Sequence, residues 1–230
     1  MNSYEILKFL TVKLTAAKLG DTKGKTATAT GFYAILDGKP VIVTAKHFTE
    51  KTEPQVVISA HYKVNNTVIT VPVTATALWV MSEEYDIAYC EVKTFDEKFK
   101  EITGHNLQYT AITEKDIMTK EEFCKLNILS EVLTMGYPVG ASSTHHEYPL
   151  FKKGYIASMP SDFTEDGEGY LDMTCDRGMS GAPLLLNNSP LKLVGILVEY
   201  IKDDTNTTPG TAVYVSSDKL LEMKKILNKS

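Results

Sequence analysis

The pattern that most constrains the fold is a series of short strand-like runs with no long amphipathic helix between consecutive runs. In the N-terminal part of the chain, β-branched or alternating segments separated by turn-forming residues cover residues 26–36, 40–45, 55–60, 68–80 and 86–92. Strands of this length joined by tight turns indicate an antiparallel meander. A parallel sheet needs a crossover helix between neighbouring strands, so the pattern disfavours a βαβ architecture.

A second series of strand-like runs follows a polar, charged stretch at residues 95–126. We interpret that stretch as a connector with a short helical turn at 114–124. The later runs cover residues 131–135, 151–159, 169–173, 182–186, 191–199 and 211–216. Apolar residues in the tail, residues 217–227, are spaced for one amphipathic helix, with Ser217 and Asp218 as candidate N-caps.

These patterns predict an all-β fold: two packed six-stranded antiparallel β-barrels followed by a C-terminal α-helix. The expected divisions are a first barrel at residues 1–100, a connector at 101–126, a second barrel at 127–216 and the helix at 217–230. A chain of 230 residues is long for one typical domain and short for two, which fits two small barrels.

Charge and hydropathy limit the classes of partner. Lys and Arg number 24 against 29 Asp and Glu, giving a formal net charge of -5. Nucleic-acid binding needs positive charge to displace counterions from phosphates, so it is disfavoured. No stretch reaches the roughly 18 apolar residues of a membrane span, so no membrane association is expected. The first residues lack the basic and apolar regions of a signal peptide, and we expect a cytoplasmic location.

The cysteines and histidines indicate no metal or cofactor. The three cysteines, Cys90, Cys124 and Cys175, have no zinc-type spacing and fit reduced, mostly buried thiols. The adjacent His145 and His146 would lie on opposite strand faces or in a loop, which disfavours a shared metal ion. These two, with His61 and His105, are interpreted as surface residues.

Three short segments stand in a meaningful order. They are Val-Thr-Ala-Lys-His at residues 43–47, Asp-Ile-Ala-Tyr at 86–89 and Arg-Gly-Met-Ser-Gly-Ala-Pro at 177–183. Each segment alone is weak evidence, because a Gly-x-Ser-Gly sequence occurs in many turns and single His or Asp residues have many structural roles. Their joint occurrence in this order, within an all-β pattern, favours a catalytic interpretation.

Together these segments resemble the chymotrypsin-like (trypsin-like) serine peptidase family, most closely its short bacterial members without disulfides. TGFYAILDGKPVIVTAKH resembles the strand-turn-strand that leads to the catalytic histidine, and EYDIAYCEV resembles the segment bearing the aspartate. EVLTMGYPVG resembles the beginning of the second barrel, and GMSGAPLL the nucleophile loop. The order His, Asp, Ser is the one that this fold uses.

The resemblance implies a role for each residue. Ser180 would be the nucleophile, activated by His47, which takes its proton and later protonates the leaving amine. Asp86 would hold the imidazole in the correct tautomer. The backbone N–H groups of Gly178 and Ser180 would form the oxyanion hole.

The sequence departs from the family pattern at Met179. Digestive and clotting enzymes have an aspartate there, which pairs with a new N-terminal amine after cleavage. A thioether cannot form that ion pair, so activation by this route is not expected. We expect a chain that is competent when made, or one gated by a partner or by loop ordering.

Specificity is only partly readable from the resemblance. The base of the primary pocket would be Thr174, and the strands carrying Leu197, Glu199 and Ala212 would form its wall. Without an aspartate at the base, an uncharged residue of small or medium size is expected at the cleavage site. Asp176 and Glu199 nearby leave open a preference for Arg or Lys.

The sequence thus predicts a serine endopeptidase that acts through an acyl-enzyme on a narrow range of protein or peptide substrates. It would need no cofactor, and a regulatory protein partner is compatible with this interpretation. Bacterial regulatory or defence-associated proteases and viral processing proteases are both similar. One alternative is a catalytically silent protein-binding module on the same fold, and another is a purely structural β-barrel module.

Overall fold

The N-terminal part of the molecule is an eight-stranded sheet. The computed structural model describes residues 7–65, 67–139, 148–158, 167–187, 191–200 and 210–227. The strands of the first sheet, β1 to β8, are Thr11–Lys18, Thr26–Leu36, Lys39–Thr44, Thr52–Val64, Thr67–Thr76, Val80–Met81, Ala88–Glu91 and Ile112–Thr113. Their order is β5-β4-β1-β2-β3-β7-β6, antiparallel throughout, and β8 pairs in parallel with the end of β2.

The C-terminal part contains a closed six-stranded barrel. Its strands, β9 to β14, are Glu131–Gly136, Leu150–Ile156, Glu168–Asp172, Pro183–Leu186, Lys192–Tyr200 and Thr211–Ser216. They pair in the order β10-β11-β14-β13-β12-β9, and β9 pairs with β10 to close the ring. The predicted all-β class and the six strands of the second barrel are therefore confirmed.

The first sheet has eight strands where six were predicted. β1 was missed, although its alternating burial matches that of a strand with one face in the core. The run at residues 68–80 divides into β5 and the short β6, and β8 adds a two-residue parallel pairing. Tertiary pairing rather than local propensity decides whether such short segments become strands.

Four helices whose bounds lie within the described ranges are short additions to the sheets. The helices α1 to α4 are Lys46–Glu50, Lys93–Thr103, Lys120–Phe123 and Asp218–Leu227, and a 3-10 turn covers Glu114–Asp116. Helix α2 lies where only a polar connector was predicted. Its two buried residues, Phe95 and Phe99, are one helical turn apart, and Gly104, with φ +75°, ends the helix. The predicted C-terminal helix is present as α4.

The core has three parts. One apolar cluster lies within the first sheet and includes Leu14, Ile42 and Phe99. Another lies within the second barrel. The third joins residues of both sheets and of α4, for example Phe32 with Ile196. Burial of apolar area therefore stabilises both the sheets and their contact with each other.

The structure corrects the prediction for one histidine and shows that two cysteines lie in the core. The interpretation of His61 as a surface residue was wrong: only 4% of it is exposed. Its ring bonds to hydroxyl groups on both sides, at 2.9 Å to Thr70 Oγ1 and 3.0 Å to Tyr137 Oη, and these bonds offset the cost of burying a polar ring. Cys90 and Cys175 are buried and Cys124 is exposed.

Two further observations concern the histidines and possible ligands. His105 is exposed, as predicted, whereas His145 and His146 lie outside the described residues. Within the described ranges there is no group of three or more His, Cys, Asp or Glu residues arranged to hold a metal ion, and no helix there is long and apolar enough to span a membrane.

Candidate active site

His47 and Asp86 meet at the same end of two paired strands. Strand β3 ends at Thr44 and the chain turns into α1, which carries His47 in its first turn. Asp86 lies just before β7, and β3 pairs with β7 through Thr44 and Ala88. This pairing brings the acid to the imidazole: His47 Nδ1 is 2.7 Å from Asp86 Oδ2, and His47 N donates to Asp86 Oδ1 at 2.7 Å.

The electrostatics of this pair fix the tautomer of the histidine. Burial raises the pKa of Asp86, but the bonds and positive charge from His47 outweigh burial, so the pKa lies below its ordinary value. An ionised carboxylate can only accept hydrogen bonds, so the Nδ1–H of His47 donates. In the neutral imidazole, the other ring nitrogen, Nε2, then carries the lone pair and can act as a base.

The turn that presents Asp86 is held by hydrogen bonds at Ser82. Ser82 Oγ accepts hydrogen bonds from the backbone N–H of Glu84 and Tyr85, at 3.3 and 3.0 Å. Lys46 Nζ donates to Ser82 O at 3.0 Å. The sequence predicts turn-forming residues between the runs 68–80 and 86–92, and the bonds to Ser82 Oγ agree with that prediction. The bond from Lys46 depends on tertiary structure.

The loop carrying Ser180 depends on two glycines in conformations that other residues rarely adopt. Gly178 has φ +92° and Gly181 has φ +87°. A Cβ on Gly178 would lie 2.3 Å from Tyr137 O, and one on Gly181 would lie 2.1 Å from Thr30 O. Both positions therefore need glycine for backbone conformation and for space.

Every second backbone N–H group of this loop remains available to donate a hydrogen bond to a ligand. The N–H of Met179 donates to Asp176 O at 3.1 Å, and that of Gly181 donates to a carbonyl of β13 at 2.7 Å. In the part of the chain that the structure describes, the N–H groups of Gly178 and Ser180 have no hydrogen-bond acceptor. These are the two groups predicted for the oxyanion hole, and an incoming carbonyl oxygen could accept from both.

The Ser180 loop lies against the strand that leads to His47. Ser180 is half-buried, and its carbonyl accepts a 2.9 Å bond from Thr30 N. A Cβ added at Gly181 would lie 2.4 Å from Thr44 Oγ1 and 3.0 Å from Ala45 N. Ala45 is two residues before His47. Among the described residues, no hydrogen bond joins the Ser180 hydroxyl to the His47 ring. The structure thus pairs His47 with Asp86 and places the Ser180 loop beside them.

The residues predicted for the primary pocket have different environments. Thr174 is exposed, and its carbonyl accepts a 3.0 Å bond from Lys152 Nζ. Leu197 and Ala212 are buried in the core of the second barrel, whereas Glu199 is exposed. A surface cavity of about 570 Å³ has none of these residues in its lining. The pocket therefore stays a prediction.

Comparison with known proteins identifies the family. Residues 29–196 match a family model described as a trypsin-like peptidase domain. The chain belongs to the trypsin-like peptidase family. The matched range of this trypsin-like peptidase contains His47, Asp86 and Ser180. A family of peptidases acts on proteins or peptides, which are therefore the expected class of substrate.

A solved structure supports the fold of this trypsin-like peptidase. The structure described as "Structure of GrC" is similar, with a TM-score of 0.61 and 16% sequence identity. The similarity covers 97% of this chain and 95% of that chain, and it confirms the chymotrypsin-like fold. The comparison with curated proteins gave no significant match.

Proposed function

We propose that this protein is a serine endopeptidase with His47, Asp86 and Ser180 as its catalytic triad. The observation that carries the proposal is the His47–Asp86 pair, in which both carboxylate oxygens bond to the histidine at 2.7 Å. Within a trypsin-like peptidase domain, such a pair beside a glycine-flanked serine supports nucleophilic catalysis.

The first half of the reaction forms an acyl-enzyme. Ser180 Oγ attacks the carbonyl carbon of the substrate while His47 Nε2 takes the hydroxyl proton. Asp86 stabilises the imidazolium through the Nδ1–H bond. The N–H groups of Gly178 and Ser180 donate hydrogen bonds to the carbonyl oxygen and stabilise the negative charge that develops on it. Loss of one such donor costs roughly 3 kcal/mol of barrier. The C–N bond then breaks, and His47 gives its proton to the leaving amine.

The second half releases the acid product. A water molecule loses a proton to His47 Nε2 and attacks the acyl carbon. The second oxyanion uses the same two N–H groups. The C–O bond to Ser180 then breaks, and the proton on His47 returns to Ser180 Oγ, so the enzyme is regenerated without a cofactor.

We infer that the chain is competent without cleavage of its N-terminus. Met179 is fully buried, and its thioether packs against Gly136, where an added Cβ would lie 2.9 Å from Met179 Sδ. An apolar side chain in this place anchors the loop by packing instead of by an ion pair. A freshly expressed, uncut chain should react with an active-site probe, and a fully inert uncut chain would contradict this inference.

The proposed cleavage-site preference is an uncharged residue of small or medium size. Asp176, two residues after Thr174, is paired with Lys152 at 2.6 Å, so its charge is already compensated. This pairing argues against selection of Arg or Lys by Asp176. A peptide library cut strictly after Arg or Lys would contradict the preference.

We also propose a narrow range of protein substrates, with a regulatory or processing role in the cytoplasm. The test is to identify new protein termini in cells that express either the wild-type chain or Ser180→Ala. A small set of termini specific to the wild type is expected. Many unrelated termini would indicate a broad digestive role.

A fluorophosphonate probe tests catalysis itself, because it reacts only with an activated serine. Wild-type protein should be labelled once per chain, and Ser180→Ala not at all. Ser158→Ala, which removes a hydroxyl that accepts from Tyr170 N in the second barrel, is the matched control and should label like the wild type. A folded wild type that does not label would instead favour the silent binding module.

A further inference from the structure

Thr30 connects the first sheet to the nucleophile loop of the second barrel. It lies in β2 and is fully buried. Its Oγ1 donates to Gly178 O at 2.7 Å and accepts from Tyr137 N at 3.0 Å. Its backbone N donates to Ser180 O at 2.9 Å, and its carbonyl accepts from Thr44 Oγ1 at 2.8 Å. One buried residue thus bonds to both ends of the Gly178–Ser180 segment.

The bond from Thr30 fixes one peptide plane of the loop, and a neighbouring bond fixes the preceding one. The carbonyl between Gly178 and Met179 is held by the Thr30 hydroxyl. The carbonyl of Arg177 accepts from Val139 N at 2.6 Å. Because a trans peptide is planar, the Gly178 N–H points in the direction opposite to the Arg177 carbonyl. That direction leaves the Gly178 N–H available to a ligand.

The same argument applies to the second donor. The Met179 carbonyl accepts from Ala182 N at 2.9 Å, so the N–H of Ser180 points away from that bond. The Ser180 carbonyl, on the following peptide, is held by Thr30 N. The orientation of both candidate oxyanion donors therefore depends on bonds that fix the peptides around them, two of which come from Thr30.

We propose that Thr30 is a positioning residue for the oxyanion hole, an inference that rests on the proposed peptidase function. Its hydroxyl hydrogen-bonds the Gly178 carbonyl to the first sheet, so that the two loop N–H groups stay directed at the substrate. A hydroxyl can donate to a carbonyl and accept from an N–H at once, whereas a methyl group of the same size can do neither. Serine keeps this ability and valine loses it.

The test compares Thr30→Val with Thr30→Ser. The readouts are the maximal rate of labelling by a fluorophosphonate and the probe concentration at half that rate. We expect Thr30→Val to lower the maximal rate by about 10- to 100-fold, because a small misplacement of catalytic groups is costly. The half-saturating concentration should change little. Thr30→Ser should stay within about threefold of the wild type.

Thr134→Val is the matched control. Thr134 is also fully buried, and its hydroxyl has no hydrogen-bond partner within the described part of the chain. It should label at the wild-type rate. If Thr134→Val loses as much labelling as Thr30→Val, the effect is merely structural and the proposal is overturned. Thermal melting of each variant shows whether it is folded.

Hydrogen exchange gives a second readout that does not require activity. The amide of Met179 donates to Asp176 O within the loop and that of Gly181 donates to Leu197 O in β13, and Thr30→Val should speed their exchange by about tenfold or more while Thr30→Ser does not. If Thr30→Val does not fold, Thr30→Ala removes the hydroxyl without added bulk. Unchanged exchange and unchanged labelling in a folded variant would overturn the role of Thr30.

These outcomes separate the inference from the proposed function. Failure of the wild type to label would reject the peptidase proposal, whereas the exchange rates would still decide whether Thr30 orients the loop. Normal labelling of wild type and Thr30→Val alike would reject the positioning role and leave the peptidase proposal intact.

Discussion

The two halves of the candidate site are held in different ways. His47 and Asp86 belong to the same sheet, on strands that pair directly, and they bond to each other. The loop with Ser180 belongs to the second barrel, but its bonds reach across to Thr30 in the first sheet. The acid–base pair therefore depends on one sheet, whereas the geometry of the nucleophile loop depends on the contact between the two.

This difference predicts which substitutions in the site should affect the chemistry alone and which should also affect the fold. A change in the acid–base pair should alter the chemistry and leave the fold largely intact. A change in the nucleophile loop should disturb both the chemistry and the contact between the sheets, because this loop is hydrogen-bonded to Thr30 of the first sheet. Each prediction below probes one side of the comparison.

The largest effect is expected for Asp86→Asn. The amide can donate a hydrogen bond to Nδ1 and so favours the wrong tautomer, which should lower kcat by about 10⁴-fold. The melting temperature should change little. Peptide hydrolysis and thermal melting would measure the two effects. Glu91→Gln, at an exposed ion pair at the end of β7, is the control and should keep its rate within about twofold. A similar loss of rate in Glu91→Gln would contradict a specific role of Asp86.

The next effect is expected for Gly181→Ala, on the other side of the comparison. The positive φ and the close approach to Thr30 O should destabilise the fold by about 3 kcal/mol or more and abolish labelling. Gly38 also has a positive φ, but a Cβ added there would meet nothing within 4 Å. Gly38→Ala should therefore lower the free energy of unfolding by only about 1 kcal/mol. Urea unfolding measures both. Equal losses of stability in Gly181→Ala and Gly38→Ala would mean that the close approach to Thr30 O does not contribute to the destabilisation.

A smaller effect should appear in cysteine reactivity, which reports on each half separately. Burial raises the pKa of Cys175 to about 12 and also raises the pKa of Cys90, so both stay as unreactive thiols at neutral pH. Native protein should be alkylated by iodoacetamide at Cys124 alone. In Thr30→Val, Cys175 should react roughly tenfold faster than in the wild type while Cys90 stays protected. Equal exposure of both buried thiols would contradict separate anchoring of the halves.

The smallest effect is the pH dependence of stability that Asp86 contributes. Its pKa is lowered in the folded chain, so its contribution is fully present above the unfolded pKa of about 4 and is lost as pH falls through the folded value. The difference in unfolding free energy between wild type and Asp86→Asn should shrink as the pH falls below about 4. Ser180→Ala should show no such trend. A difference that grows as the pH falls below about 4 would contradict the lowered pKa.

Much of the fold could be predicted because its signals are local. Residues 26–36 form a run of β-branched and apolar residues that ends at a turn signal, and β2 has those bounds. The positive φ at Gly178 and Gly181 agrees with the residue types around the serine. Helix α2 was missed because its sequence is mostly charged, and only two phenylalanines on one face show that it packs on the sheet.

Other features of the site had no local signal. Thr30 stands in a run of alternating Thr and Ala, and nothing in that run distinguishes it from Thr28. His61 has the composition of a surface residue, and its burial depends on two hydroxyl partners, one of them 76 residues away. Polar groups are buried only where partners satisfy them, and the sequence does not show which distant partners will be adjacent.

The sequence by itself determined the all-β class, the strands of the second barrel and the order of His47, Asp86 and Ser180. These follow from periodicity and residue type, which act over a few neighbouring residues. Only the tertiary structure decided how the site is held together. Thr30 and Gly178 are 148 residues apart, and the bond between them forms only because apolar burial packs the two sheets against each other.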